Sequence, residues 1–411
     1  MEIISSLLED QPVEPLVRLD NPREGLGPLI SSRRELMATA SQFAAGTGPV
    51  AADTERASGF RYGQATYLIQ LRRAGAGTAL IDTKALPDLS VIQEAIGDTE
   101  FVIHAGSQDL PGLREHGLNP VKLFDTELAS RLLGYPRVAL EVMVAEFLGF
   151  QLAKEHSASD WAMRPLPSDW LRYAALDVEL LVELREQLES KLDQAGKLEW
   201  AVQEFDYVLR QRPKPRRPEP WRRTSHACSL RSPRQLAIVR ALWEAREQIA
   251  QSRDLAPRRV LLDEAIIAAA QAMPRNIGKL VALREFSGPG ARRRAATWQR
   301  AIDAALALPA NALPTVRGPG TDGPPQPRSW AARRPEAAKR LARAKAELAD
   351  IARKNELPAE NLLLPDSLRR IAWEPPRTIA FDTMTTALAD LEVRPWQIEL
   401  VAEPLTKAFL Q

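Results

Sequence analysis

Residues 210–223, RQRPKPRRPEPWRR, interleave four prolines with seven basic side chains, and neither a helix nor a central strand can run through them. The chain must therefore fold as separate units on either side of an extended, hydrated linker over 210–226. A second break, rich in proline and glycine, falls at 309–330. With 411 residues, the expected division is a first domain over 1–209, a second over 227–308 and a third over 331–411, each long enough to bury a core.

The same divisions partition charge. Residues 1–209 hold 19 Lys and Arg against 32 Asp and Glu, a net of −13, whereas 210–300 hold 21 against 7, a net of +14. The plain reading is uneven surface charge. The sharper one is a polyanion-binding segment beside a carboxylate-rich domain that must hold cations. One cysteine, Cys228, excludes an intramolecular disulfide and a cysteine-based zinc cluster, and the four histidines are scattered. No apolar run approaches the ~18 residues of a membrane span, and the N-terminus lacks a basic, cleavable leader. The expected location is the cytoplasm, with no membrane and no obligate protein partner.

The first domain alternates strand and helix signals. Short β-type runs fall at 15–19, 48–52, 66–71, 77–82, 101–105 and 121–125, and helical stretches at 31–44, 90–96, 108–116, 126–133, 138–148 and 168–193. Three strand candidates in succession, followed by alternation, predict an α/β domain with a mixed sheet. Beyond the first linker the pattern is helical and repeats: 249–270, IAQSRDLAPRRVLLDEAIIAAA, aligns without a gap on 351–372, IARKNELPAENLLLPDSLRRIA, at an offset of 102. The shared break after Leu255 and Leu357 predicts two copies of one all-α module.

The chemistry lies in the carboxylates. Asp53 and Glu55 follow an apolar run; two apart in a strand, they point to one face, where they repel unless a cation lies between them. Taken alone, D-x-E is a weak signal. Asp109 follows the strand at 101–105 by a short turn, where a residue favoured by the helix dipole is the bland alternative. Asp125 is read as the N-cap of 126–133. Tyr173 and Asp177 are four apart in a helix, hence one turn above each other. An amphipathic helix accounts for the tyrosine at its buried edge, but not for an aspartate on that same face.

Asp53 and Glu55, then Asp109, then Tyr173-x-x-x-Asp177, set in AADTER, VIHAGSQDLPGL and SDWAMRPLPSDWLRYAALDVELL, resemble the three exonuclease motifs of the DEDD family, tyrosine subclass, and in particular ribonuclease D, over residues 30–208. One departure matters, and one position decides the subclass. Many relatives carry Asn after the histidine of the second motif, where this chain has Ala105. The histidine subclass would carry His where Arg172 stands. The resemblance implies a ribonuclease H-like α/β domain acting as a 3′→5′ exoribonuclease, with nucleoside 5′-monophosphates as products. It also implies two divalent cations, Mg²⁺ or Mn²⁺, about 3.5–4 Å apart, held by Asp53, Glu55, Asp109 and Asp177, with Asp53 bridging and Tyr173 holding the attacking water. The substrates implied are single-stranded RNA 3′ ends, tRNA precursors among them. A DNA exonuclease of the same fold, or a silent RNA-binding protein, are the alternatives.

Residues 228–308 resemble the HRDC domain, the helical module that follows the nuclease in ribonuclease D. Arg258, Arg259, Lys279 and the run Arg292, Arg293 and Arg294 are its candidate phosphate-binding face; solvated helix ends are the bland alternative. In the second copy Glu360 and Asn361 replace Arg258 and Arg259, which marks it as a divergent HRDC-like module suited to packing against the nuclease.

Overall fold

A computed structural model describes residues 15–153, 159–212, 218–318 and 323–411. The first domain is built on a six-stranded mixed sheet in the order β2 (Leu29–Ile30), β5 (Gly77–Asp82), β4 (Thr66–Ala74), β3 (Thr47–Arg56), β6 (Phe101–Ile103) and β7 (Leu123–Asp125). β3, β4 and β5 form an antiparallel meander, and β2, β6 and β7 add in parallel. Val50, Ala51 and Ala52 are fully buried, as expected of a strand covered on both faces. A separate parallel pair, β1 (Val17–Leu19) with β8 (Phe150–Leu152), lies outside the main sheet.

Helices α1 (Arg33–Ala45), α2 (Ser90–Ile96), α3 (Leu110–Glu115), α4 (Thr126–Leu132) and α5 (Leu140–Leu148) connect these strands. α1 opens on a capping box between Ser32 and Glu35. The stretch expected as one helix over 168–193 is two, α6 (Ser168–Glu179) and α7 (Leu181–Gln194), broken at Leu180. The break lets each half serve a different core. Ala174 and Ala175 pack with Leu68, Leu80 and Trp161, while Leu184, Leu188 and Leu192 join the main core. α8 (Leu198–Arg210) closes the domain.

The second unit comprises α9 (Pro233–Ser252), α10 (Pro257–Val260), α11 (Asp263–Ala272), α12 (Ile277–Val281), α13 (Pro289–Arg293) and α14 (Ala295–Ala307). The third comprises α15 (Trp330–Arg333), α16 (Pro335–Lys354), α17 (Ala359–Leu362), α18 (Pro365–Trp373), α19 (Phe381–Asp390) and α20 (Pro395–Leu410). The 102-residue offset carries into the backbone. α9, α10 and α11 begin 102 residues before α16, α17 and α18 to within a residue, and both breaks turn on a positive-φ residue, Asp254 (48°) and Glu356 (50°).

Each break also docks on the first domain. Ala256 N–H donates to the Phe60 carbonyl (3.0 Å) and Asp254 accepts from Tyr62 N–H (3.2 Å). In the third unit the Asn355 carbonyl accepts from Lys197 Nζ (2.7 Å), and Glu356 presses so closely on Gly134 that a Cβ there would collide with its carbonyl. The third unit shares one continuous core with the first domain. Trp396 stacks on Trp200 at 4.7 Å, and Arg394 pairs with Glu204 at 2.7 Å, both buried. The second unit has a core of its own.

The breaks read as linkers need redrawing at their ends. Arg210 still belongs to α8, and Trp221, in a 3-10 turn at Pro220–Arg223, is buried in the second unit's core. Trp330 is likewise fully buried at the start of α15. A large aromatic anchors each segment against a core, which outweighs the surrounding proline and charge. Residues 213–217 and 319–322 of these segments lie outside the described residues. Among the described residues no helix is long and apolar enough to cross a membrane.

Candidate active site

The strand register brings the carboxylates together. Asp53 and Glu55 leave the same face of β3, and α6, packed across β3, β4 and β5, carries Asp177 onto that face. One carboxylate oxygen from each of Asp53, Glu55 and Asp177 lies within 4.8 Å of the others. Tyr173 lies one turn before Asp177, with its hydroxyl beside the Asp177 carboxylate. All these residues are buried or half-buried.

Asp109 stands beside this trio, at the entry to α3. Its Oδ1 accepts from Thr54 Oγ1 at 2.6 Å and lies 3.5 Å from Arg56 Nη2. Arg56 also holds the neighbouring Gln108 carbonyl. Sequence reasoning missed Thr54 and Arg56; the signal was their place within the AADTER strand, on either side of Glu55. Asp125 caps α4 through Glu127 N–H (3.0 Å) and Leu128 N–H (3.1 Å). It does more than cap, since it also accepts from Ala105 N–H (3.2 Å) and Gly106 N–H (2.8 Å) and so fixes the turn that leads to Asp109. Ala105 sits in that turn at φ 62°, a left-handed conformation that Asn tolerates better than Ala.

Four acids in so small a space cannot all stay ionised without a counter-charge. Burial, then Asp109 and Asp177, hold the Asp53 carboxyl well above the ordinary carboxylate range; burial, then Asp53, does the same to Glu55. Burial pushes Asp109 up to about 6 against the opposing pull of Thr54 and Arg56, and Asp177 up to about 7 against that of Tyr173. Burial and the neighbouring carboxylates also raise the Tyr173 hydroxyl above its usual value, so it stays protonated.

These shifts set a pH dependence. Unfolded Asp titrates near ~3.9, so from about pH 4 to about pH 7 the folded state binds more protons than the unfolded state, and stability falls as pH rises. A bound divalent cation compensates the charge that proton loss exposes. The melting temperature in EDTA is therefore expected to fall between pH 5 and pH 8, and Mn²⁺ to raise it more at pH 8 than at pH 5. Thermal denaturation at both pH values checks this; equal Mn²⁺ shifts would contradict it.

The candidate basic residues divide. Arg259 donates from Nε to the Gly59 carbonyl at 2.7 Å and lies 4.2 Å over the Phe60 ring, so it helps dock the second unit on the loop after β3. Arg258 is exposed, 3.8 Å from Glu264. Lys279, Arg292 and Arg293 are exposed, and Arg294 is half-buried. Burial, then the charges of Arg253 and Arg293, lower the Arg294 guanidinium, which places Arg253, missed in the sequence, in the same basic cluster. Trp221, Trp298 and Trp330 are core residues.

Three family models match. Residues 29–193 match the model described as 3′-5′ exonuclease, 235–302 the HRDC domain, and 323–409 the 3′ to 5′ exonuclease C-terminal domain. The chain is 33% identical over 285 residues to ribonuclease D of Gluconacetobacter diazotrophicus, covering 67% of this chain and 71% of that protein. It is 34% identical over 271 residues to ribonuclease D of Escherichia coli K12, covering 64% and 71%. Among solved structures, a protein from Bifidobacterium adolescentis superposes with a TM-score of 0.88 at 38% identity, over 96% of this chain and all of that one. Escherichia coli RNase D, described as an exoribonuclease involved in structured RNA processing, superposes with a TM-score of 0.67 at 26% identity, over 93% and 98%.

Proposed function

The chain belongs to the ribonuclease D family and is a metal-dependent 3′→5′ exoribonuclease, and from that premise we propose that Asp53, Glu55, Asp109 and Asp177 hold two divalent cations, Mg²⁺ or Mn²⁺, at which RNA 3′ ends are hydrolysed. The observation that carries this is the convergence of Asp53, Glu55 and Asp177 to within 4.8 Å, with Asp109 alongside. An all-oxygen donor set with no Cys or His fits hard cations. When bound, such ions supply Lewis-acid activation of a water and stabilise charge on the departing 3′-oxygen. Asp53, which feels the charges of both Asp109 and Asp177, would be shared between the two ions. Arg56 and Thr54 hold Asp109 in reach. Tyr173 would mainly orient the attacking water by hydrogen bonding, with the ions doing most of the acidifying.

Substrates are single-stranded 3′ ends of tRNA precursors and other structured RNAs. Digestion of 5′-labelled RNA and DNA oligonucleotides with Mg²⁺, Mn²⁺ or EDTA tests this. A ladder shortening from the 3′ end of RNA, abolished by EDTA, supports it; EDTA-resistant or 5′-initiated cleavage, or a preference for DNA, would overturn it.

The second unit supplies grip. An acidic nuclease domain repels RNA except at its cations, and the net +14 of residues 210–300 offsets that repulsion. Each phosphate neutralised on a single strand adds roughly 0.7 to the slope of log affinity against log salt. Reversing Arg292 and Arg293 to Glu is expected to weaken binding of long RNA and flatten the slope by about one to two units. Arg259 is left intact in this test because it docks the module. Filter binding across a salt series, with unchanged slope, would reduce the module to a structural appendage.

A further inference from the structure

Beside Asp53 the sheet buries an amide that no described residue holds. Gln70 on β4 lies directly opposite Asp53 on β3 in the antiparallel register. Opposed residues of such a pair project from the same face, with Cβ atoms about 4.5–5.5 Å apart. That face is the one α6 covers with Asp177. Gln70 is fully buried, and neither its Nε2 nor its Oε1 has a hydrogen-bond partner among the described residues.

The neighbours of Gln70 on this face of β4 are accounted for. Leu68 packs with Ala174 and Ala175, and Arg72 lies 3.5 Å from Glu179. Gln70 alone of the three carries polar groups with no use in the packing. An unpaired buried amide is destabilising, and an apolar residue of similar size would fill the place without that cost. Ligating carboxylates are characteristically held by a second, outer hydrogen bond that fixes which oxygen faces the ion, and a glutamine amide offers two donors for that purpose.

We propose that Gln70 is a positioning residue of the cation site, its side-chain N–H holding the Asp53 carboxylate in its ligating orientation. The inference rests on the metal-centre reading above. The amide is stranded in the cation-free state and finds its partner when Asp53 turns to the ion. The fold thus carries a small stability deficit that cation binding repays.

The test compares wild type with Gln70→Leu, Gln70→Met and Asp177→Asn by metal-free melting temperature and by calorimetric Mn²⁺ titration. Gln70→Leu and Gln70→Met are expected to melt at or above the wild-type temperature in EDTA, yet to bind Mn²⁺ about 10–100-fold more weakly. The unbranched Met variant covers the case in which the branched Leu does not fit. Wild-type Mn²⁺ affinity in a folded Gln70 variant would overturn the proposal, and a lowered metal-free melting temperature alongside it would make Gln70 an ordinary core residue paired with buried water. If wild type and Asp177→Asn bind Mn²⁺ alike, the metal-centre reading itself fails, and the role of Gln70 with it.

Discussion

Asp177→Asn is expected to slow RNA hydrolysis by about 10³-fold or more, since a metal site supplies several kcal/mol to the transition state. The substitution keeps the side chain's shape and removes its charge. Asp177 is a half-buried acid among Asp53, Glu55 and Tyr173, pushed up to about 7 by burial. Its replacement by a neutral amide therefore leaves the metal-free fold intact or more stable. Single-turnover hydrolysis and circular dichroism separate the two effects. A folded variant degrading RNA within tenfold of wild type would remove Asp177 from the site.

Tyr173→Phe is expected to lower turnover by about 10²–10⁴, the range for a positioned acid–base group. The hydroxyl contacts Asp177 but is not itself a ligand, so Mn²⁺ affinity should change far less than rate. Turnover near wild type with weakened Mn²⁺ binding would contradict the role.

Both variants rest on positions legible in the amino-acid sequence alone. Strand alternation puts Asp53 and Glu55 on one face, helical periodicity stacks Tyr173 on Asp177, and β3 and α6 bear out both geometries. The repeat is legible too, because a helix, a break and a second helix leave an apolar pattern that survives divergence. What stays hidden depends on partners far apart in sequence. Gln70 sits unmarked inside the apolar run TYLIQL, and only the β3–β4 register shows what lies opposite it. Asp125 reads as a helix cap because its second task, holding the Ala105–Gly106 turn, comes from a strand pairing. Arg259 reads as a phosphate ligand because sequence shows a charge without the Gly59 carbonyl and Phe60 ring that engage it. β1 falls inside the run expected at 15–19, but its partner β8, over a hundred residues away and three residues long, is too short for periodicity to register.

The central claim is that this carboxylate cluster is the cation site of the exoribonuclease. Anomalous diffraction from crystals soaked in Mn²⁺ tests it most directly. Two peaks are expected, about 3.5–4 Å apart, one among Asp53, Glu55 and Asp177 and the other between Asp53 and Asp109. A well-ordered active site with no Mn²⁺ peak in contact with Asp53 would contradict the account.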